Sequence, residues 1–317
     1  MRALICGING QDGSYLAKFL LDKGYEVWGT SRDAQSSSFH NLKRLGIRDQ
    51  VKLLSMAPGD FRSVFTAMDR SDADEVYYLA GQTSVGLSFE QPAETLESIV
   101  TGTLNLLEVL RLRHKSTRFY HAGSSECFGD TGGVPANEDT PFHPRSPYAV
   151  AKASAHWLVA NYRESYDLHA STGILFNHES PLRPKHFVTQ KIVQGAAQIA
   201  RGEQERLVLG RLDIIRDWGW APEYVQAMWL MLQQDEPQDV VVATGSPHSL
   251  EDFVAESFAC HGLEWADHVD TSQKFFRPTD IQFSCGNPER AESHLGWKAE
   301  STMREVIAKM VEANQGL

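Results

Sequence analysis

The sequence predicts an α/β protein in which a doubly wound parallel sheet precedes a smaller C-terminal α/β lobe. Three observations point there: short apolar runs alternating with helix-period segments up to residue 175, a glycine-rich loop between the first run and the first helix, and a loss of that regularity over residues 176–317. The run at residues 3–6 is too short for a helix and reads as a strand; the loop follows, then a helical pattern over residues 14–23. Residues 24–30, 51–54 and 74–80 read as the next three strands. A long helix pattern from about residue 94 to 113 comes next, then a strand at 118–122, a helix at 148–166 and a strand at 171–175. In the C-terminal part, helices at 189–201 and 222–233 alternate with short apolar segments at 206–210 and 240–243. The expected division is a dinucleotide-binding domain over residues 1–175 and a lobe over residues 176–317 that mainly binds substrate, with some chain returning to the sheet.

Composition narrows the function. At 317 residues, with 42% hydrophobic and 22% charged, the chain is ordinary for a globular protein and long enough for a sizeable core. A formal net charge of -11 argues against nucleic acid as a partner, because phosphate backbones demand a basic surface. An anionic small molecule would need its own local arginines and backbone N–H groups. Cys6, Cys127, Cys260 and Cys285 show no metal-like spacing, so no metal site and reduced thiols are expected. No basic leader with an apolar core and no membrane-length apolar stretch is seen, and the expectation is a cytoplasmic protein without a membrane partner.

Gly7-Ile8-Asn9-Gly10-Gln11-Asp12-Gly13 is a G-x-x-G-x-x-G loop between strand and helix. A dinucleotide pyrophosphate rests at such a place, on the helix N-terminus, and the whole arrangement is of Rossmann type. At the end of the second strand, an arginine meets a 2′-phosphate and an acid binds a ribose 2′-hydroxyl. Here Arg32 favours NADP, whereas Asp33 beside it keeps NAD open. Asp60, after the third strand, is a candidate for the adenine edge or a turn former.

Tyr148 and Lys152 stand one helical turn apart and share a face, so the ammonium is expected to lower the phenol pKa towards a working base. Gly123-Ser124-Ser125-Glu126 follows a strand and lies at the carboxyl end of the sheet, where ligands of such folds bind. Ser124 supplies a hydroxyl for a substrate oxygen, and Glu126 a carboxylate able to remove a carbon-bound proton.

With these motifs in place, the chain resembles the GDP-mannose 4,6-dehydratases, a branch of the extended short-chain dehydrogenases, over nearly its whole length. The specific stretches include Ser88-Phe89-Glu90-Gln91-Pro92, Pro144-Arg145-Ser146-Pro147-Tyr148, Asn177-His178-Glu179-Ser180-Pro181, Arg216-Asp217-Trp218-Gly219 and Phe276-Arg277-Pro278. The resemblance implies a lyase that converts GDP-mannose to GDP-4-keto-6-deoxymannose through bound NADP. Tyr148, assisted by Lys152, would take the 4-hydroxyl proton as hydride leaves C4; Glu126 would remove the C5 proton, water would leave C6, and hydride would return there. It also implies cofactor contacts at Gly7, Gly10, Gln11, Asp12, Gly13, Arg32, Asp60, Phe61, Leu79, Tyr148 and Lys152. Substrate contacts implied are Ser88 near the sugar, Asn177 and Lys191 around the nucleotide, and Arg216 and Arg277 on the pyrophosphate. A homo-dimer or homo-tetramer is implied as well, with pairing through the helices at 94–113 and 148–166.

The chain departs from the family pattern in places. Ser124 stands for a threonine, Arg32-Asp33-Ala34-Gln35 for paired arginines and serine, Gln190 for an arginine, Gly81 for an alanine and Phe61 for a leucine, and Trp220-Ala221-Pro222-Glu223 is unusual. Competing readings are a dehydratase of a related GDP-sugar such as a GDP-heptose, a GDP-4-keto-6-deoxymannose reductase, a C4 epimerase and a non-catalytic dinucleotide-binding protein. Neither the reductase nor the epimerase needs a base at C5, so Glu126 favours dehydration.

Overall fold

A computed structural model describes residues 1–276 and 278–315. The N-terminal part lays down β1 (Arg2–Cys6), α1 (Gln11–Asp22), β2 (Glu26–Ser31), α2 (His40–Arg44), β3 (Lys52–Ser55), α3 (Phe61–Ser71) and β4 (Glu75–Tyr78). It continues with α4 (Val85–Glu90), α5 (Pro92–Leu96), α6 (Gly102–Arg113), β5 (Arg118–Ala122), α7 (Pro147–Tyr166) and β6 (Ala170–Leu175). Then come β7 (Asn177–Glu179), α8 (Val188–Ala200), β8 (Leu207–Leu209), β9 (Ile215–Trp220), α9 (Ala221–Gln233) and β10 (Val240–Val242). The chain closes with β11 (Pro247–Ser249), α10 (Leu250–Ala259), β12 (Val269–Thr271), β13 (Phe283–Ser284), α11 (Glu289–Leu295) and α12 (Met303–Gln315).

Seven strands form one parallel sheet in the order β10-β6-β5-β4-β1-β2-β3. The chain moves outward from β1 through β2 to β3, then crosses back to β4 on the other side. That reversal opens a crevice at the carboxyl ends of β1 and β4, the position at which doubly wound folds take ligands. Both faces are covered, which is why β4 and β6 are buried at every position. One face packs Leu16, Leu20, Tyr224 and Met228 from α1 and α9; the other packs Val64, Leu106, Leu110 and Val159 from α3, α6 and α7. The smaller lobe carries its own core of Trp218, Phe253, Phe258, Ile307 and Met310 around α8, α10 and α12, with β7, β9, β11 and β13 as its sheet. Strand β10 leaves that lobe to pair with β6.

The predicted boundaries shift for physical reasons. Helix α1 begins at Gln11, because the Ser14 N–H already closes the first turn on Gly10 O at 3.0 Å. Strand β2 begins at Glu26, since Gly24 and Tyr25 still hydrogen-bond back to the carbonyls of Leu21 and Leu20. The long helix read from about residue 94 is α5 and α6 joined by a π turn over Glu97–Thr101, and it begins earlier, on Pro92 at its first position. Among the described residues no helix is long and apolar enough to cross a membrane.

Candidate active site

The cofactor loop sits hard against its neighbours. Gly7 has φ +86°, and a Cβ there would lie 3.0 Å from the Ala80 backbone at the end of the adjacent strand segment. A Cβ on Gly13 would lie 2.4 Å from Gly7 O, so α1 approaches the loop as only glycine permits. Within the loop, the Asn9 Oδ1 is buried without a hydrogen-bond partner. These are the features of a cradle whose N–H groups and helix terminus suit a pyrophosphate, so the residues present fit a dinucleotide.

The walls of a cavity of about 440 Å³ begin beside that loop, a volume typical of small-molecule sites. Ser124, Glu126, Tyr148 and Lys152 all line it, as do Asp12, Leu79, Asn177, Lys191 and Arg216. Ser124 caps a 3₁₀ turn, Ser125–Phe128, accepting the Glu126 N–H at 3.3 Å, which sets the Glu126 carboxylate two residues beyond the Ser124 hydroxyl. Ser146 caps α7 by accepting the Ala149 N–H at 3.1 Å, and Pro147 occupies the first helical position. From that rigid start, Tyr148 and Lys152 turn inward, 8% and 5% exposed. Lys152 Nζ donates to Ala122 O at 2.7 Å, tying α7 to the tip of β5, and lies 5.9 Å from the Tyr148 ring centre.

The expected lowering of the Tyr148 pKa is not what these contacts produce. Burial pushes the phenol above its ordinary value, and the Ser124 hydroxyl offsets this only in part. Lys152 is itself desolvated and drawn down to about 8, so its charge is weakened by the same burial.

Other predicted residues serve differently. Ser88 is fully buried and donates to Val85 O at 2.6 Å within α4, away from the cavity wall; Thr83 and Ser84 hold the wall there instead. Gln11 is 6% exposed and its amide is committed: it donates to Asp12 Oδ1 and His178 O and accepts from Ser180 Oγ at 2.8 Å. Asp60 caps α3 through the Arg62 N–H at 3.0 Å, with Phe61 half exposed beside it. Arg32 projects into solvent at the tip of β2, its side chain 83% exposed. Lys191 Nζ donates to Val208 O at 2.6 Å and lies 4.5 Å over the Phe275 ring, and burial pulls its pKa down. Arg216 is 6% exposed and donates to Ile215 O at 2.8 Å. Arg277 lies outside the described residues.

His178, Arg183 and Arg211 are among the wall residues that the sequence reading did not name as site residues. His178 and Arg183 face the cavity, the first paired with Asp12 and the second held over the Phe187 ring at 3.9 Å. Lys152, Arg183, Lys191, Arg211 and Arg216 share the wall with the carboxylates of Asp12, Glu126, Glu179 and Asp280, a high share of cations for a chain of net charge -11. Such a focus suits a polyanionic ligand. Among the described residues no cluster of His, Cys, Asp or Glu could hold a metal ion.

The sequence profile described as GDP-mannose 4,6 dehydratase matches residues 4–310. The chain belongs to the GDP-mannose 4,6-dehydratase family. It is 45% identical to GDP-mannose 4,6 dehydratase 1 of Arabidopsis thaliana, covering 98% of this chain and 88% of that protein. A GDP-mannose 4,6-dehydratase of Sinorhizobium fredii is 44% identical over 98% of this chain and 95% of its own. Among solved structures, the UDP-glucose 4-epimerase of Thermus thermophilus in complex with NAD superimposes with a TM-score of 0.86 at 26% identity, covering 100% of this chain and 99% of that one. Membership of the dehydratase family gives the Ser124, Glu126, Tyr148 and Lys152 grouping a defined chemical setting.

Proposed function

We propose that this dehydratase-family chain converts GDP-mannose to GDP-4-keto-6-deoxymannose by oxidation at C4, elimination across C5 and C6, and reduction at C6. One observation carries the reading: a hydroxyl, a carboxylate, a phenol and an ammonium, on Ser124, Glu126, Tyr148 and Lys152, line one cavity at the carboxyl end of the sheet.

Gly7, Gly10, Gly13 and the α1 terminus hold the pyrophosphate of a nicotinamide dinucleotide, Asp60 and Phe61 border its adenine, and Leu79 borders the path to the nicotinamide. Bound there, the oxidised cofactor supplies a two-electron acceptor that is regenerated within the turnover, and a positive ring charge that favours the phenolate. NADP is the cofactor this reading takes, on the strength of Arg32, with NAD as the alternative.

Tyr148 accepts the proton of the sugar 4-hydroxyl while Ser124 hydrogen-bonds the same oxygen and the Lys152 ammonium stabilises the phenolate. The resulting C4 ketone acidifies C5, whose proton Glu126 removes as hydroxide leaves C6 and is protonated to water. The two electrons given up at C4 come back at C6 and a proton at C5, so the product is the substrate less one water and the redox change is internal. Arg216, Lys191 and Asn177, with Arg183 beside them, face the nucleotide portion, where planar guanidinium donors match phosphate oxygens. Assembly as a homo-dimer or homo-tetramer is part of the same reading, supported by Val150 and Trp157 on α7, which are 43% and 62% exposed at a spacing of seven residues.

Purified protein incubated with GDP-mannose and NADP should yield a product lighter by one water in mass spectrometry. Tight dinucleotide binding with no mass change for GDP-mannose would refute the assignment.

A further inference from the structure

Strand β9 carries Arg216 and Asp217 side by side, and the pleat sends their side chains to opposite faces. Arg216 shares the cavity wall with Trp218, whereas Asp217 is fully buried behind it. A buried carboxylate without donors would be costly, and this one is supplied at both oxygens. Its Oδ1 accepts the Thr244 N–H at 3.0 Å and the Thr244 hydroxyl at 2.7 Å. Its Oδ2 accepts the Gly245 N–H at 2.9 Å and the Gly286 N–H at 3.4 Å, with the Cys285 thiol at 3.7 Å.

These donors come from the two chains that flank Arg216. Thr244 and Gly245 lead into β11, whose His248 pairs with Arg216. Cys285 and Gly286 follow β13, whose Ser284 pairs with Arg216 from the other side. The two turns are in tight contact as well: a Cβ on Gly286 would lie 2.5 Å from Ala243 Cβ and 2.8 Å from the Phe176 ring. Ala243 follows β10, the edge of the large sheet; β10 pairs with β6, and β6 with β5, the strand that runs into Ser124 and Glu126. One carboxylate therefore joins the strand that bears the arginine to the sheet that bears the hydroxyl and the base. Arg216 Nη1 donates to Ile215 O at 2.8 Å, so the guanidinium is tied to β9 and moves with it.

We infer that Asp217 is a positioning residue for the diphosphate of the substrate: by clamping β9 to β11, β13 and the end of β10, it fixes where the Arg216 guanidinium stands relative to Ser124 and Glu126. The inference rests on the reading of Arg216 as a phosphate contact. Asp217→Asn keeps the shape, but whichever way the amide turns, its NH2 meets N–H donors that the carboxylate had accepted, and the clamp opens on that side.

Calorimetric titration of the intact chain with GDP, beside NADPH as a control on the cofactor loop, tests this without turnover. Asp217→Asn should weaken GDP about tenfold and leave NADPH within about twofold of the wild-type protein. In an Arg216→Gln background the same substitution should lose most of its effect on GDP, because the group it positions is gone. In turnover, KM for GDP-mannose should rise by a similar factor with kcat within about threefold, as for an interaction shared by substrate and transition state. Unchanged GDP affinity in folded Asp217→Asn, equal weakening of GDP and NADPH, or the same loss with and without Arg216 overturns the inference while leaving the phosphate contact standing. Arg216→Gln with undiminished GDP affinity removes both. Should Asp217→Asn fail to fold, Thr244→Val, which removes only the hydroxyl donor, decides. A loss of about threefold in GDP affinity, silent in the Arg216→Gln background, supports the role, and unchanged affinity overturns it.

Discussion

His178 Nε2 lies 3.0 Å from Asp12 Oδ2, joining strand β7 of the smaller lobe to the first turn of α1 beside the cofactor loop. The other ring nitrogen, Nδ1, is 2.7 Å from Phe176 O, a carbonyl that can only accept, so His178 presents a second N–H to the carboxylate when protonated. Burial alone would drive the imidazole neutral, but the Asp12 charge and hydrogen bond outweigh it and raise the His178 pKa. Burial alone would raise Asp12 too, yet His178 and the Gln11 amide hold its carboxyl at about 2.

The pair makes a pH-dependent contribution with a definite sign. The His178 part is fully present below the ordinary imidazole value of 6.5 and is lost as pH rises through its raised value. The Asp12 part is present above 3.8 and is lost as pH falls towards about 2. Asp12→Asn should therefore lower stability most between about pH 4 and 6.5, by about 2 kcal/mol, a figure reduced because Asp12 keeps one face on the cavity. Denaturant titrations across pH 3–8 would check it; a constant difference between the two proteins over that range would count against the ion pair.

Glu126→Gln removes only the base assigned to C5. The expected outcome is loss of the dehydrated product by a factor of about 10² to 10⁴, with oxidation at C4 retained. Single-turnover absorbance of the reduced cofactor would then rise and stay high. If oxidation and water loss fell together, Glu126 would be acting on the first step or on the fold.

Much of this site was legible because its parts are local in sequence. The strand, glycine loop and helix at the N-terminus, the Ser124-Ser125-Glu126 turn, and Tyr148 with Lys152 on one helical face all follow from spacing alone. Contacts across the chain were not. His178 and Asp12 are separated by 166 residues, and Lys152 finds a backbone carbonyl 30 residues away, a partner with no side-chain signature. Ser88 misled because a serine in a family-like stretch says nothing about which way a short helix is rotated, and α4 turns it inward. The π turn at Glu97–Thr101 has no residue code of its own. In the smaller lobe, strands of two or three residues such as β7, β8, β11 and β13 are too short for a period of two to register.

Lys152 predicts a limit on activity at high pH. Desolvation brings its pKa to about 8, well below the ordinary 10.5, so the ammonium beside Tyr148 is lost as pH rises through that value. The rate of C4 oxidation at low substrate should fall above about pH 8, and Lys152→Arg should move that limb upward if any activity survives. The stability consequence has the opposite sense: between about 8 and 10.5 the unfolded chain binds more protons at this site, so wild-type stability relative to Lys152→Met rises with pH. A pH profile flat to 10 would exclude the ammonium from the proton transfer.

Gly13 offers the sharpest test of the cofactor loop, because the atoms a side chain would meet cannot move aside cheaply. An added Cβ would stand 2.4 Å from Gly7 O and 2.7 Å from Ile8 Cα, all of it backbone, whereas at Gly10 it would meet only Gly7 O at 3.3 Å. Gly13→Ala must therefore push α1 away from the strand end that positions the loop, at a cost of about 1–3 kcal/mol. It should also weaken dinucleotide binding by about tenfold or more, since the N–H groups would no longer converge. Gly10→Ala should cost less in stability, which separates general intolerance of the loop from this one close approach. Parallel thermal melts and NADPH titrations of the two variants decide the matter: equal stability for Gly13→Ala and the wild-type protein would mean that α1 can slide, and the cradle would not be held as tightly as these distances require.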